Sequence, residues 1–137
     1  MRRLEDHLRV GRPPSSGHLV VRGSPNTAAK LLDSGRRLAS QYTYREVPAF
    51  GFSVNVVVDL DELDRLLQST AYLTRHHVRR GEVASVAREG FVLLATFTDP
   101  THFTVLLDPY NEQRAIAFLE ALGPEEPNPY YIGRRPR

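Results

Sequence analysis

The most regular alternation of hydrophobic and polar positions in the chain runs over residues 50–58, FGFSVNVVV. Every even-numbered position there is Phe or Val, whereas Gly51, Ser53 and Asn55 fall on the other side. Because side chains alternate across a strand, this pattern predicts a β-strand with one face in the core. The small polar residues of the opposite face indicate either close approach by a ligand or a half-exposed surface.

Two further apolar runs, residues 91–97 and 102–107, flank the turn sequence TDPT at residues 98–101. Asp and Pro favour a turn for separate reasons, since Asp bonds nearby amides and Pro fixes φ. The runs therefore predict an antiparallel hairpin. We expect it near the middle of the sheet, with the last helix packed across it, because both faces of its first strand are apolar. On its second strand His102 and Thr104 share one face, a departure from simple core building.

Apolar spacing and terminal residues predict helices over residues 24–34, 59–69, 82–88 and 108–122. The first would have Ser24 as N-cap, Pro25 in its first turn and Gly35 just after its end. The second begins with a capping-box pattern, Asp59 with Glu62 three residues on. The buried stripe of the last helix is expected to be Ala115, Ile116, Phe118, Leu119 and Leu122.

The order of these elements predicts an α+β fold. At 137 residues the chain is long enough to bury one core. We expect a small single domain with a mixed or antiparallel sheet, a central hairpin and flanking helices. An N-terminal arm of residues 1–17, loosely held through GRPPSSG, would precede the α+β domain of residues 18–123. A Pro/Arg-rich tail of residues 124–137 would follow it.

Composition narrows the classes of protein that the chain can belong to. The formal net charge is +2, and the lack of cysteine excludes disulfides and thiolate chemistry. No stretch reaches the roughly 18 apolar residues of a membrane span, so no membrane partner is expected. The first residues lack the apolar core of a signal peptide. We expect a cytoplasmic protein, or one that a dedicated machine delivers into a target cell's cytoplasm.

Arginines are concentrated in residues 1–22, 75–80 and 133–137. Arg75, Arg79 and Arg80 would suit the phosphates of a nucleic acid. The alternative is an ordinary solvated surface, which the modest net charge favours.

The segment Arg22-Gly23-Ser24 stands at the end of a predicted strand and the start of a predicted helix. These residue types suit a phosphate, because guanidinium offers a forked donor, Gly allows close approach and helix amides point at the anion. The alternative is an ordinary strand–turn–helix connection with a solvated Arg.

His102-Phe103-Thr104 matches the His-x-Thr pattern that two-histidine phosphoesterases carry on each of two strands. The nearest second copy, His18-Leu19-Val20, lacks the hydroxyl, so that family is set aside. A lone His on an apolar strand can equally be hydrogen-bonded structure. His76 and His77 would point to opposite faces of a strand, and no metal-ligand motif is present, so no metal is expected.

Taken together, Arg-Gly-Ser, a helix ending LLxxG and the strand FGFSV resemble the opening half of ADP-ribosyltransferase domains. In that family an Arg or His followed by Gly opens the pocket for the nicotinamide dinucleotide NAD, and a Ser-centred strand forms its floor. The resemblance carries Arg22 to the first motif and Ser53 to the second. His102 and Thr104 fall where the third motif is expected, although no Glu-x-Glu or Gln-x-Glu is present.

The resemblance implies a small, divergent toxin of bacterial type that uses NAD as its substrate and needs no metal. Arg22, Ser53, His102 and Thr104 would be the catalytic residues. Arg22 would also bind the cofactor together with Gly23, Ser24 and Asn55. A toxin of this kind implies a cognate antitoxin or immunity protein as its partner.

Two alternatives remain open. The first is a small ribonuclease with His102 as general acid or base, Thr104 as phosphate donor and Arg22 or Arg75 stabilising the phosphate. The second is a non-enzymatic immunity or regulatory protein, in which the arginine clusters form an interface. The transferase needs Arg22 and Ser53 in one cleft, whereas the nuclease needs His102 beside a basic groove.

Overall fold

A computed structural model describes residues 1–11 and 13–133 of the chain. Its helices are α1 (Ala28–Ala39), α2 (Leu60–Leu67), α3 (Val83–Arg88) and α4 (Glu112–Ala121). Its strands are β1 (Arg2–Arg3), β2 (Leu19–Gly23), β3 (Tyr42–Tyr44), β4 (Val47–Pro48), β5 (Gly51–Val57), β6 (His77–Glu82), β7 (Leu93–Ala95), β8 (His102–Leu106) and β9 (Glu126–Pro127). The strands pair mainly antiparallel, with the helices packed on them, and the small single-domain α+β fold is confirmed.

A six-stranded antiparallel sheet, in the order β7-β8-β5-β2-β6-β9, forms the centre of the fold. A smaller three-stranded sheet, β1-β3-β4, combines one parallel and one antiparallel pairing. The alternating pattern of residues 50–58 forms β5, which pairs with β2 on one side and β8 on the other. The mixed and antiparallel pairing expected from the sequence is therefore present.

The predicted hairpin exists, but the prediction that it lies near the middle of the sheet was wrong. β7 and β8 pair antiparallel, yet β7 is an edge strand, and β5 and β2 occupy the middle. The outer side of β7 is covered by the N-terminal segment, because the Arg9 amide donates to the carbonyl of Ala95 over 2.9 Å. Val92, at the start of this run, is 64% exposed. Leu93 packs on the main core and Leu94, on the other face, packs against the cluster around the N-terminal segment, so an edge strand can be apolar on both faces.

The core lies on both faces of the large sheet. One face packs Phe52, Val54 and Val56 against α1, α3 and α4, with Phe118 of α4 fully buried between them. The opposite face packs Val21 and neighbouring apolar residues against α2. Because β2 and β5 are covered on both sides, they are fixed at the centre of the molecule, and their ends offer rigid positions for functional side chains.

Two helix starts and one helix end differ from the sequence prediction. The N-cap of α1 is Thr27, whose side chain accepts from the Lys30 amide, and the helix continues through Gly35 to Ala39. A Cβ on Gly35 would come within 2.9 Å of the Tyr110 ring, so this glycine serves close packing and not helix termination. The last helix begins after the N-cap Asn111. The Asp59 cap, which accepts from the Glu62 amide, is confirmed.

Both ends of the described chain are packed onto the domain. Leu4, in the segment expected to be a loose arm, is fully buried, and β1 pairs with β3. The tail contributes β9, which pairs with β6. Arg12 and residues 134–137, which hold all three arginines of the C-terminal cluster, lie outside the described residues. No helix in the described ranges is long and apolar enough to cross a membrane.

Candidate functional site

A cleft of about 460 Å³ opens at one end of the large sheet. It forms because β2 pairs with β5 only as far as Val21 opposite Asn55, whereas Arg22 and Gly23 continue along β6 alone. The gap between the strands is flanked by α1 on one side and by the segment between α2 and β6 on the other. We refer to this space as the cleft.

Six residues singled out as functional candidates from the sequence line the cleft: Arg22, Gly23, Ser53, Asn55, Arg75 and Thr104. The register explains part of this grouping, because Ser53 lies opposite Thr104 in the β5–β8 ladder. The next pair on the same face is Asn55 opposite His102. The cleft therefore joins positions that are more than thirty residues apart in the chain.

Arg22 lies at the floor of the cleft and is held by the strand that it faces. Its Nη1 donates to the carbonyl of Ser53 over 2.9 Å, and its guanidinium lies 5.4 Å from the centre of the Phe52 ring. Burial lowers the pKa of Arg22 to about 10, an effect that Tyr72 opposes and Arg75 reinforces. The side chain still carries its charge at neutral pH, and its buried Nε has no hydrogen-bond partner among the described residues.

Gly23 and Ser24 have structural tasks that the sequence did not predict. A Cβ on Gly23 would come within 2.8 Å of Cγ of Arg75 and 3.3 Å of the Tyr72 ring, so this glycine allows the opposite wall to approach. Ser24 does not line the cleft. Its hydroxyl accepts from the His77 amide over 3.3 Å, and its carbonyl accepts from Nη1 of Arg75 over 2.9 Å. Both residues thus position Arg75.

The lining of the cleft is strongly basic. Besides Arg22 it includes Lys30 and Arg37 of α1 and Arg75 of the opposite wall, and none of the described lining residues is acidic. The sequence analysis missed Lys30 and Arg37, although Lys30, Ser34 and Arg37 follow the spacing of one helix face. A cavity of one sign of charge between apolar walls concentrates anions, so the cleft suits a phosphorylated or otherwise anionic ligand.

His102 reaches the cleft through Ser53. Its Nε2 lies 2.9 Å from Oγ of Ser53, and its Nδ1 lies 3.1 Å from the carbonyl oxygen of Thr96. A carbonyl oxygen can only accept, so we assign the proton to Nδ1, which leaves Nε2 as the acceptor for the Ser53 hydroxyl. Burial lowers the pKa of His102, which favours this neutral form.

Thr96 orders the polar side of the hairpin and was missed from the sequence. Its side chain is fully buried, and its hydroxyl lies 3.0 Å from Nδ1 of His102 and 2.7 Å from the hydroxyl of Thr104. Nη1 of Arg9 donates to the Thr96 carbonyl. Thr104 is only 2% exposed and its hydroxyl is bonded to that of Thr96, so it supports His102 through Thr96 and is poorly placed to bind a ligand.

Both ends of the Asn55 side-chain amide form hydrogen bonds within the protein. Its Oδ1 accepts from the Tyr72 hydroxyl over 2.7 Å, and its Nδ2 donates to the Thr101 hydroxyl over 2.8 Å. Burial raises the pKa of Tyr72, so its hydroxyl remains protonated. Asn55 is therefore placed to orient Tyr72, an aromatic lining residue that the sequence analysis did not identify.

The RHHVRR segment does not form one continuous basic patch. Arg75 lines the cleft, whereas Nη1 of Arg79 donates to the Leu119 carbonyl and Arg80 pairs with Glu126. Arg79 and Arg80 are successive residues of β6, so they lie on opposite faces of the sheet. Across residues 1–11 and 13–133, no group of three or more His, Cys, Asp or Glu side chains is placed to hold a metal ion.

Comparison with protein-family models, with curated proteins and with solved structures finds no match to this chain.

Proposed function

We propose that the protein is a divergent ADP-ribosyltransferase-like enzyme that uses NAD and acts as a toxin or effector of bacterial type. One observation carries the proposal: Arg22 and Ser53, the two residues that carry the resemblance, lie in a single basic cleft. His102 and Thr104 of the expected third position are paired across β5 and β8 with the Ser53 strand. The sequence resemblance and the geometry thus converge on the same few residues.

The basic lining would hold the diphosphate of the dinucleotide. Arg22 keeps its charge although it is buried, so its attraction for a phosphate is screened less than that of a surface arginine. Arg75 is fixed by the Ser24 carbonyl, and Lys30 approaches from α1. Two phosphates have enough cationic partners here without a metal ion.

Ser53 and the aromatic side chains would surround the nicotinamide ribose. In the reaction the bond between ribose C1′ and the nicotinamide nitrogen breaks, and its electron pair leaves with nicotinamide. The ribose then carries positive charge until a nucleophile of the target bonds C1′ and loses its proton. Tyr72 and Phe97 line the same space and would stack on the rings. His102, through its contact with Ser53, would orient the hydroxyl toward the ribose.

The proposal is tested by titration calorimetry of the purified protein with NAD. Arg22→Ala should weaken binding about tenfold or more, because a charge-assisted hydrogen bond is worth about 1.5–3 kcal/mol. Arg37→Ala should weaken it less, since this side chain is more exposed. Arg36→Ala is the matched control: Arg36 and Arg37 are neighbours that both pair with Asp33, but only Arg37 lines the cleft. Equal affinity of all three variants and wild type would contradict the proposal.

Activity is read from nicotinamide release and from transfer of labelled ADP-ribose to proteins of a cell extract. Wild type should show both, and Arg22→Ala and Ser53→Ala should lose both while keeping the wild-type circular dichroism spectrum. Induced expression should arrest growth with wild type but not with Arg22→Ala. A cognate antitoxin or immunity protein, if co-expressed, would restore growth. Absence of NAD binding together with equal growth of the two strains would remove the transferase hypothesis.

A ribonuclease is the second candidate, and the state of His102 favours it. A neutral imidazole beside a basic cleft could take the proton of an RNA 2′-hydroxyl, while Arg22 stabilises the charged phosphate. This mechanism uses the hydroxyl of the RNA and has no need of Ser53. RNA cleavage that is lost in His102→Gln but kept in Ser53→Ala would therefore favour the nuclease over the transferase.

A further inference from the structure

We propose that Ser53 is a nucleophile activated by His102, and that the cleft transfers a phosphoryl group from an anionic phosphoric ester onto the Ser53 hydroxyl. This reaction would proceed without a dinucleotide. It therefore differs from the proposed transferase activity and also from the nuclease alternative, in which Ser53 has no role.

The arrangement has the three parts that an activated hydroxyl requires: nucleophile, base and a group that orients the base. The Ser53 hydroxyl is the nucleophile, and Nε2 of His102 lies 2.9 Å from it. The Thr96 carbonyl, 3.1 Å from Nδ1, orients the ring and fixes the tautomer in which Nε2 can accept a proton. The hydroxyl of Thr96 supports the same ring nitrogen at 3.0 Å.

Ser53 is also accessible, unlike the other hydroxyls of this network. Ser53 is the exposed residue of β5 and lines the cleft. Thr96 and Thr104 are 0% and 2% exposed and are bonded to each other, so neither is available to a ligand. Ser34 lines the same cleft from α1, but no histidine bonds it within the described part of the chain. Ser53 is therefore the lining hydroxyl with a base at hydrogen-bond distance.

The charge of the cleft selects the class of electrophile. Arg22 donates to the backbone carbonyl of Ser53 itself, so its guanidinium lies beside the reacting residue. Its buried Nε has no partner in the described residues, so the guanidinium has a donor that the fold does not use. Lys30 and Arg75 add further positive charge. Such cations stabilise the charge that develops on phosphoryl oxygens during transfer.

The step balances with the groups present. Oγ of Ser53 bonds phosphorus while the bond from phosphorus to the leaving oxygen breaks, and its electron pair stays on that oxygen. The Ser53 proton passes to Nε2 of His102 and from there to the leaving oxygen. Water then attacks phosphorus while its proton passes to Nε2 of His102. The bond from phosphorus to Oγ of Ser53 breaks with its electron pair on Oγ, and His102 returns the proton to Oγ. No metal and no redox partner is required.

The nucleophile is tested with a biotinylated fluorophosphonate, which loses fluoride when a serine oxygen bonds its phosphorus. Wild type should be labelled, with the adduct mapped to Ser53 by mass spectrometry. Ser53→Ala should not be labelled. His102→Gln should react at least about 100-fold more slowly than wild type, the usual loss when a general base is removed. Ser16→Ala, a control at an exposed serine outside the cleft, should be labelled at the wild-type rate.

Ser53→Ala changes only an exposed side chain, so it is expected to fold, and circular dichroism checks this. No labelling of folded wild type, or equal labelling of Ser53→Ala, would overturn the proposal. The substrate class is tested with bis(4-nitrophenyl) phosphate and no added NAD. Release of 4-nitrophenolate should depend on Ser53 and His102. Labelling of Ser53 without such release would overturn the phosphoryl-transfer assignment, whatever the outcome of the NAD titrations.

Discussion

His102 and Arg22 both bind their protons less tightly in the folded protein than in water, because burial disfavours their charged forms. The consequences differ at neutral pH. The pKa of Arg22 falls only to about 10, so the guanidinium remains charged. The pKa of His102 falls below its ordinary value near neutrality, so the imidazole is neutral. One environment thus supplies a cation for the ligand and a free base beside Ser53.

The lowered pKa of His102 predicts how stability depends on pH. Above the unfolded-state pKa of about 6.5 the imidazole is neutral in both states. As the pH falls, the unfolded chain takes up the proton first, so the stability contributed by neutral His102 is lost between the unfolded and folded pKa values. Urea unfolding of wild type and His102→Gln at about pH 7.5 and about pH 5 should show a larger loss for wild type.

The comparison with His102→Gln removes the effects of other titrating groups, which both proteins share. Burial is the largest cause of the lowered pKa of His102, whereas the hydrogen bond that Nδ1 donates to the Thr96 carbonyl raises this pKa. Asp99 raises it further and Arg9 lowers it. An identical pH dependence in the two proteins would show that His102 titrates as it does in water, and that its neutral form is not favoured by the fold.

The segment after β9 holds the wall of the cleft that carries Tyr72 and Arg75. Asn128 is 5% exposed, and its Nδ2 donates to the carbonyls of Leu67 and Tyr72 over 3.3 and 2.9 Å. The backbone amide of Asn128 donates to the His76 carbonyl over 2.8 Å. The Asn128 side chain therefore holds the connection between α2 and β6 in place. This connection has no regular structure of its own over most of its length.

Asn128→Ala should destabilise the protein by about 1–3 kcal/mol, because two buried carbonyls lose their donor. It should also weaken binding of anions in the cleft, since Tyr72 and Arg75 lose their support. Glu125→Ala is a control from the same segment, and as an exposed side chain it should change stability by less than about 0.5 kcal/mol. Urea unfolding measures the first effect and calorimetry the second. Equal results for both variants would show that the tail does not hold the cleft.

The whole molecule depends on one continuous core between the large sheet and the helices on its α4 side. Phe118 lies at its centre, fully buried and edge-to-face with the rings of Phe52 and Phe91 at 4.6 and 5.3 Å. The same cluster includes Leu31 of α1 and Val86 of α3. Phe118 thus belongs to a cluster that joins the sheet to α1, α3 and α4, elements that the chain visits at widely separated points.

Phe118→Ala should reduce the free energy of unfolding by about 3–5 kcal/mol, since the cavity is lined by rigid elements that cannot close it. Ile116→Ala provides the comparison on the same helix. Ile116 was expected in the buried stripe but is 39% exposed, so its truncation should cost much less. Both values follow from denaturant melts. A loss below about 1 kcal/mol for Phe118→Ala would show that α4 is not part of this core.

Local sequence signals predicted which helices and strands form better than they predicted where each one begins and ends. The alternation of residues 50–58 predicted β5, and Asp59 predicted the start of α2, because both depend on neighbours within a few residues. Gly35 was placed at a helix end for a sound local reason, but the Tyr110 ring requires a glycine inside α1. The bulk of a residue from another element cannot be read from the local pattern.

The candidate site, too, was determined partly by the sequence and partly by the tertiary structure. That Ser53 and Asn55 share one face of a strand, and His102 and Thr104 one face of another, was determined by sequence alone, because a strand alternates with a fixed period. That the two strands are neighbours, that Arg22 donates to Ser53, and that Thr96 orients His102 were decided by the tertiary structure. Periodicity states which side of an element is buried; only long-range pairing determines which residues it meets there.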